Sequence, residues 1–266
     1  MKKFLAIIIS ILVLSSLLAG CGKSKASSTP VNEIKQKGKF IVGLDDSFPP
    51  MGFRDEKGEI VGFDIDLAKE AAKRMGLEVE FKPVVWDGVL LSLKNKDIDV
   101  IWNGLTITEE RKKQIDFTKP YLEDRQIVVV KGNSNIASKK DLAGKVIGLQ
   151  LGSTSEQALN SDAETAKSIK ELRKYSNNTE ALMDLKAGRI DAVVVDEISG
   201  RYYVAKNPGD YKILNEDFGK QIVGVGVRKE DTAFKEELDK VLDEMKKDGT
   251  AAEISKKWFG ADILTK

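Results

Sequence analysis

The sequence has no histidine and, across 266 residues, a single cysteine, Cys21. Without histidine the commonest neutral-pH acid/base group and a principal zinc ligand are both missing, which argues against hydrolytic triads and zinc centres. A lone cysteine cannot close an intramolecular disulfide. Neither sign of charge dominates: 43 basic and 42 acidic residues leave a net charge of +1, so no strong field points to nucleic acid or an anionic surface. Collagen-like and low-complexity tracts are missing too. With 41% hydrophobic residues the chain can bury one core or two.

What is present begins with a leader pattern. Lys2 and Lys3 precede a 14-residue, mainly apolar run from Phe4 to Leu17, followed by Leu18-Ala19-Gly20-Cys21. The run is shorter than the ~20 apolar residues of a membrane-spanning helix, so residues 1–21 read as a secretory signal. The final four residues resemble the lipobox of bacterial lipoproteins, which implies lipidation of Cys21 and a protein held at the membrane outside the cytoplasm. An incidental thiol beside an uncleaved anchor is the alternative. Residues 22–32, rich in Lys, Ser and Thr, read as a flexible tether.

An internal echo organises the rest. Leu90, Leu93-Lys94 and Ile98-Asp99-Val100 recur as Leu182, Leu185-Lys186 and Ile190-Asp191-Ala192, each displaced by 92 residues. Both copies read as helix, turn and buried β-branched strand, the pattern of a parallel sheet fed by crossover helices. Two α/β lobes follow if the echo is real, and chance similarity competes with that reading. Further strands are expected over Lys39–Leu44, up to Trp86, and over Val146–Leu151, Ile127–Val130 and Ile222–Val227. Helices are expected over Asp64–Met75, along Phe234, Leu238, Val241, Leu242 and Met245, and from a Thr250 cap to Trp258.

Open α/β sheets bind ligands at the carboxyl ends of their strands. Four loops qualify. The first carries Asp45 and Phe48, and the second carries Trp86; either aromatic is equally a core side chain. The third runs Asn103-Gly104-Leu105-Thr106 and leads to Arg111, near a helix start that Thr108 can cap; its planar fork suits a carboxylate, though the Glu109–Lys113 run also reads as a solvated face. The fourth, Gly152-Ser153-Thr154, opens a helix whose free amides suit an anion, and it lacks a phosphate-loop ending. Asp196 directly follows a buried strand and needs a cation. A carboxylate clamp and an ammonium partner together match an α-amino acid.

Five segments in order, Gly62-Phe63-Asp64-Ile65-Asp66-Leu67, Leu105-Thr106-Ile107-Thr108-Glu109-Glu110-Arg111, Ile115-Asp116-Phe117-Thr118, Ala187-Gly188-Arg189-Ile190-Asp191-Ala192 and Lys257-Trp258-Phe259-Gly260, resemble bacterial extracellular solute-binding protein family 3. This group holds the histidine, lysine/arginine/ornithine, glutamine and cystine binders of ABC uptake transporters. The resemblance spans about Phe40 to Gly260. It implies a bilobal α/β periplasmic-binding-protein fold of type II with a two-strand hinge, lobe 1 being residues 33–124 plus 222–266 and lobe 2 residues 125–221. It further implies that Arg111 and the Thr154 amide hold the α-carboxylate, that Asp196, Gly104 and Thr106 hold the α-ammonium, and that Phe48 and Trp86 flank a side chain read by Asp45. Asn103, Leu105, Gly152 and Ser153 complete the expected binding set. No catalytic residue, cofactor or metal is implied. The expected partners are an amino acid, a transporter permease and, through Cys21, the membrane; the expected state is a monomer.

Asn103-Gly104 stands where some relatives carry two serines, and Trp86 and Trp102 where smaller residues are common. Asp45, Asp46, Glu123 and Asp124 are expected to make the entrance acidic and to favour a basic amino acid, with glutamine or cystine as alternatives. Two rival functions remain at this point: a dehydratase or lyase on the same scaffold, using Glu197 or Glu123 as acid/base, and an amino-acid sensor.

Overall fold

A computed structural model describes residues 30–265; the signal segment 1–21 with Cys21 and residues 22–29 of the tether stretch lie outside the described residues. The tether reading ran to residue 32, whereas a helix already begins at Pro30 (Pro30–Lys37).

Two five-stranded sheets carry the fold. In the first, β1 (Lys39–Leu44) lies parallel between β5 (Glu78–Pro83) and β6 (Val100–Ile101); β13 (Gly226–Val227) and β7 (Asp116–Phe117) complete it antiparallel. In the second, β9 (Val146–Gln150) lies parallel between β10 (Glu171–Tyr175) and β11 (Ala192–Asp196), followed by antiparallel β8 (Leu122–Lys131) and β12 (Tyr211–Val223). The two strand orders, β5-β1-β6-β13-β7 and β10-β9-β11-β8-β12, match position by position in direction. A small third sheet joins β2 (Ser47–Phe48), β3 (Gly52–Arg54) and β4 (Ile60–Val61).

The 92-residue echo is therefore structural. Helix Val89–Lys94 leads into β6 and helix Asn178–Ala187 into β11, with Leu93, Leu182 and Leu185 buried. The repeated aspartate does the same work in both lobes. Asp99 accepts a hydrogen bond from the Ile41 amide at 3.0 Å, and Asp191 accepts one from the Val146 amide at 2.8 Å. Each carboxylate thus satisfies an amide of its lobe's parallel first strand while its own amide donates back to the same residue.

Strands β8 and β12 leave the first lobe as a pair, Leu122 opposite Val223 and Asp124 opposite Gln221, and continue into the second sheet as its edge. They form the hinge. The C-terminal helices Thr232–Lys247 and Thr250–Phe259 return to the first lobe, where Phe234, Leu238 and Met245 share a core with Phe40, Val42 and Phe63. The expected apolar stripe of helix Phe63–Met75 is buried, and the helix stops at Gly76.

Three local expectations are corrected. Residues 222–227 are not one strand, because β12 ends at Val223 and β13 begins at Gly226. β5 ends at Pro83, so Trp86 sits in a 3-10 turn rather than at a strand end. Thr250 is the first residue of the last helix, and the capping position is taken by Gly249 without a side-chain bond.

Candidate functional site

The two sheets point the carboxyl ends of β1, β6, β9 and β11 at each other, and between them lies a pocket of about 300 Å³. Asp45, Phe48, Trp86, Asn103, Gly104, Thr106 and Arg111 line it from the first lobe; Gln150, Ser153, Thr154 and Asp196 line it from the second. Ten of the twelve expected binding residues are brought together. Leu105 is fully buried in the core with Leu93 and Ile101, and Gly152 contributes only its backbone near Arg111.

Arg111 enters from helix Glu109–Lys112, where Thr108 accepts a hydrogen bond from the Arg111 amide and caps the helix. Its guanidinium donates to the Thr106 carbonyl at 2.9 Å and, weakly, to the Gly152 carbonyl of the other lobe at 3.5 Å; it lies 5.9 Å from the centre of the Trp86 ring. Burial pulls its pKa down to about 10, and the charge of Asp196 across the cleft opposes that shift. A desolvated guanidinium with bonding capacity left over is a receptor for a carboxylate.

Asp196 ends β11, buried at 8% exposure, and accepts a hydrogen bond from Gln126 Nε2 at 2.6 Å. Burial pushes its carboxyl up to about 6, with the Gln126 bond and the Arg111 charge opposing. Above that pH it is an anion facing the pocket from the opposite wall to Arg111. At the far end, Asp45 accepts from the Ser47 amide and hydroxyl at 2.9 and 2.6 Å and from Gln150 Nε2, across the cleft, at 2.8 Å. Burial raises the Asp45 pKa, and these donations counter the rise.

Two glycines are required, Gly104 by its left-handed backbone and Gly62 by space. Gly104 adopts φ +61°, and a Cβ there would meet the Phe48 ring at 3.0 Å. Its amide donates at 2.7 Å to Asp64, whose other oxygen accepts from Tyr121 at 2.8 Å. Gly62 has φ +146°, and a Cβ there would lie 2.2 Å from the Met51 carbonyl oxygen. The Gly62-Phe63-Asp64 segment thus brings the buried Asp64 under the pocket loop.

Sequence reasoning missed three glutamines. Gln150 bridges Asp45 and Asn178; Gln126 and Gln221, on the two hinge strands, tie the pocket floor together. Gln221 Oε1 accepts from Thr106, Thr154 and Gln126 at 3.0 to 3.1 Å, and Gln126 Oε1 accepts from Ser155 at 2.5 Å. Neutral amides inside strands carry no pattern of their own, so their proximity to the strand ends was the one available signal. Replacing Gln126 with alanine is expected to cost about 2 kcal/mol by stranding buried Ser155 and Asp196, as urea unfolding would show.

The acidic entrance needs correction. Asp45 faces the pocket, but Asp46 pairs with Arg54 at 2.6 Å, Glu123 lies in separate surface grooves, and Asp124 is buried behind Asp196. Glu197, proposed as an acid/base for an enzymatic alternative, is tied up by Arg125 and Arg201 at 2.6 Å each.

Comparison with known proteins supports the fold and the family. The chain is 38% identical to the L-cystine-binding protein TcyJ of Escherichia coli (strain K12), covering 93% of each. Its structure matches an ABC uptake transporter substrate-binding protein from Streptococcus pneumoniae with bound histidine, at TM-score 0.87 and 34% identity, covering 91% of this chain and all of the other. It also matches an ancestral arginine-binding protein bound to glutamine, at TM-score 0.79 and 48% identity, covering 84% of this chain and 98% of the other. Residues 40–261 match the family pattern as a whole, and the chain belongs to the bacterial extracellular solute-binding proteins, family 3.

Proposed function

We propose that this protein captures a polar L-amino acid between its lobes, outside the cytoplasm, and delivers it to an ABC uptake transporter, and that it is a monomeric lipoprotein anchored through Cys21. It performs no chemistry on its ligand. One observation carries the reading: a buried cationic fork, Arg111, and a buried carboxylate, Asp196, face one pocket from opposite lobes. Only a ligand bearing both charges satisfies the two walls at once.

In this reading the α-carboxylate docks on Arg111 and on the free amides at the start of helix Thr154–Ser161, with Ser153 and Thr154 beside it. The α-ammonium lies between Asp196, Gly104 and Thr106. Phe48 and Trp86 sandwich the side chain, whose tip reaches Asn103, Asp45 and Gln150. One aspartate and two amides favour a hydrogen-bonding or cationic tip; the histidine and glutamine bound in two similar structures and the cystine for which a third relative is named are the tips to compare with arginine and lysine.

Closure contributes to affinity because the Asp45–Gln150 bond and the Thr106–Thr154 contact at 3.2 Å exist only when the lobes meet. The test is a thermal-shift screen of the purified protein against the common L-amino acids, ornithine and cystine. A ligand at a hundredfold excess over its Kd adds about 2.7 kcal/mol to native stability, so one or a few amino acids should raise the melting temperature clearly. A flat response across the panel would overturn the assignment.

A further inference from the structure

Asp196 has a neighbour that the binding reading leaves unused. In the register of β8 with β11, Asp196 stands opposite Gln126, so Asp124, two residues earlier on β8, projects on the same face one diagonal step away. The Asp124 side chain is 7% exposed. The Ile198 amide donates to its Oδ1 at 3.4 Å and the Arg125 amide also acts on the carboxyl, while Oδ2 is buried without a hydrogen-bond donor among the described residues. A buried carboxylate oxygen lacking a donor is costly, and beside a second buried carboxylate it is costlier.

The cations nearby are committed elsewhere. Arg125, next in sequence, points its guanidinium to Glu197 and Asp217; Arg201 also pairs with Glu197; Arg111 lines the pocket, where its bonds to carbonyls hold it and only its charge acts on Asp196. Glu197 adds a further negative field at Asp124, and Glu123 lies in the same outer groove. With those cations taken, a proton on Oδ2 gives the stranded oxygen a partner in Asp196.

We propose that Asp124 is a positioning residue: it carries a proton on Oδ2 and donates it to Asp196, so that the hinge stores one proton between two carboxyls and Asp196 presents its anion to the ligand's ammonium. This rests on the amino-acid-binding reading for its consequence but not for the proton itself. The position suits exchange with solvent, since Asp196 lines the ligand pocket while Asp124 lines a groove on the other side of the hinge. Burial, with the charge of Asp196 added, holds the Asp124 carboxyl well above the usual carboxylate range, in keeping with a proton retained at neutral pH. A second proton then goes to Asp196, where it competes with the ammonium. Affinity should accordingly fall on acidification with a midpoint near the raised value of Asp196, about 6, rather than near 4.

Two measurements decide this. The first needs no ligand: an infrared difference spectrum of wild type minus Asp124→Asn at pH 8 should contain the carbonyl stretch of a protonated carboxylic acid. A carboxylate stretch in its place would overturn the proposal. The second is calorimetry, from pH 4.5 to 8, with the best amino acid from the thermal screen. Wild-type affinity should fall about tenfold per pH unit below the midpoint. Asp124→Asn, whose amide donates as the protonated acid does, should keep that midpoint, whereas Asp124→Leu should raise it by about one unit by removing the donor. A midpoint that moves down in Asp124→Asn would mean that Asp124 is ionised in the wild type. If no amino acid binds, the infrared result still locates the proton, so the two readings fail separately.

Discussion

Arg111→Ala is expected to weaken amino-acid binding by about 100-fold or more, because truncating one partner of a buried charge pair costs roughly 2–5 kcal/mol. The loss should be specific to binding. Among the described residues Arg111 is held by the Thr106 carbonyl, a long bond to the Gly152 carbonyl, the Trp86 face and the charge of Asp196, and burial nevertheless depresses its pKa to about 10. A base whose folded pKa is lowered opposes folding wherever it is charged, so at pH 7 removing it should leave the unliganded protein as stable as before, or more so. Arg111→Lys keeps the charge and loses the fork, and should fall between wild type and alanine. Calorimetry for Kd and urea unfolding for stability separate the two effects. Binding of Arg111→Ala within threefold of wild type would remove the carboxylate role.

The second large effect concerns Asp64, which touches no ligand in this reading. Asp64→Ala strands the Gly104 amide and the Tyr121 hydroxyl inside the first lobe, and at pH 5 should cost about 3 kcal/mol. For a protein of this size that lowers Tm by about 6–12 °C. Ligand affinity should fall as well, since Gly104 belongs to the loop that lines the pocket. Asp64 is fully buried, and burial raises its pKa to about 7, with the Tyr121 and Gly104 bonds opposing. For a carboxyl raised above its unfolded value, the stabilisation is complete below the unfolded pKa near 4 and is lost as pH rises through 7, a swing of about 4 kcal/mol. The deficit of Asp64→Ala relative to wild type should therefore shrink from pH 4 to pH 8. A deficit that grows over this range would show that the Asp64 anion is the form the fold prefers.

Much of the site was legible because it follows from backbone rules. Asp45, Asn103 and Asp196 sit where strands run into the loops at their carboxyl ends, and Ser153 and Thr154 open a helix; both are places where a sheet or helix exposes backbone to a ligand. Arg111 was legible as a charged residue held by a Thr108 cap. Leu105 shows the limit of that approach. It lies within a binding loop, yet its side chain turns into the core, a direction set by packing. The acidic entrance failed for a related reason. Asp45 and Asp46 are adjacent in the turn between β1 and β2, yet their side chains diverge, one meeting Gln150 across the cleft and the other Arg54, a difference set by the turn rather than by any pattern in the sequence.

The sequence by itself determined the lobes, since the period of apolar residues, the β-branched runs and the 92-residue echo with its paired aspartates each act through neighbours close in the chain or through one sheet. Only the tertiary structure decided which polar residues meet, across the cleft and within each lobe. The contacts Gln150–Asp45, Gln126–Asp196, Asp64–Gly104 and Asp124 behind Asp196 join residues 40 to 105 positions apart or lying on different strands. Gln150–Asp45 is set by how the two sheets close on the hinge and the others by packing within one lobe or one sheet, so a buried polar side chain takes its partner from the tertiary arrangement rather than from the residues beside it in sequence.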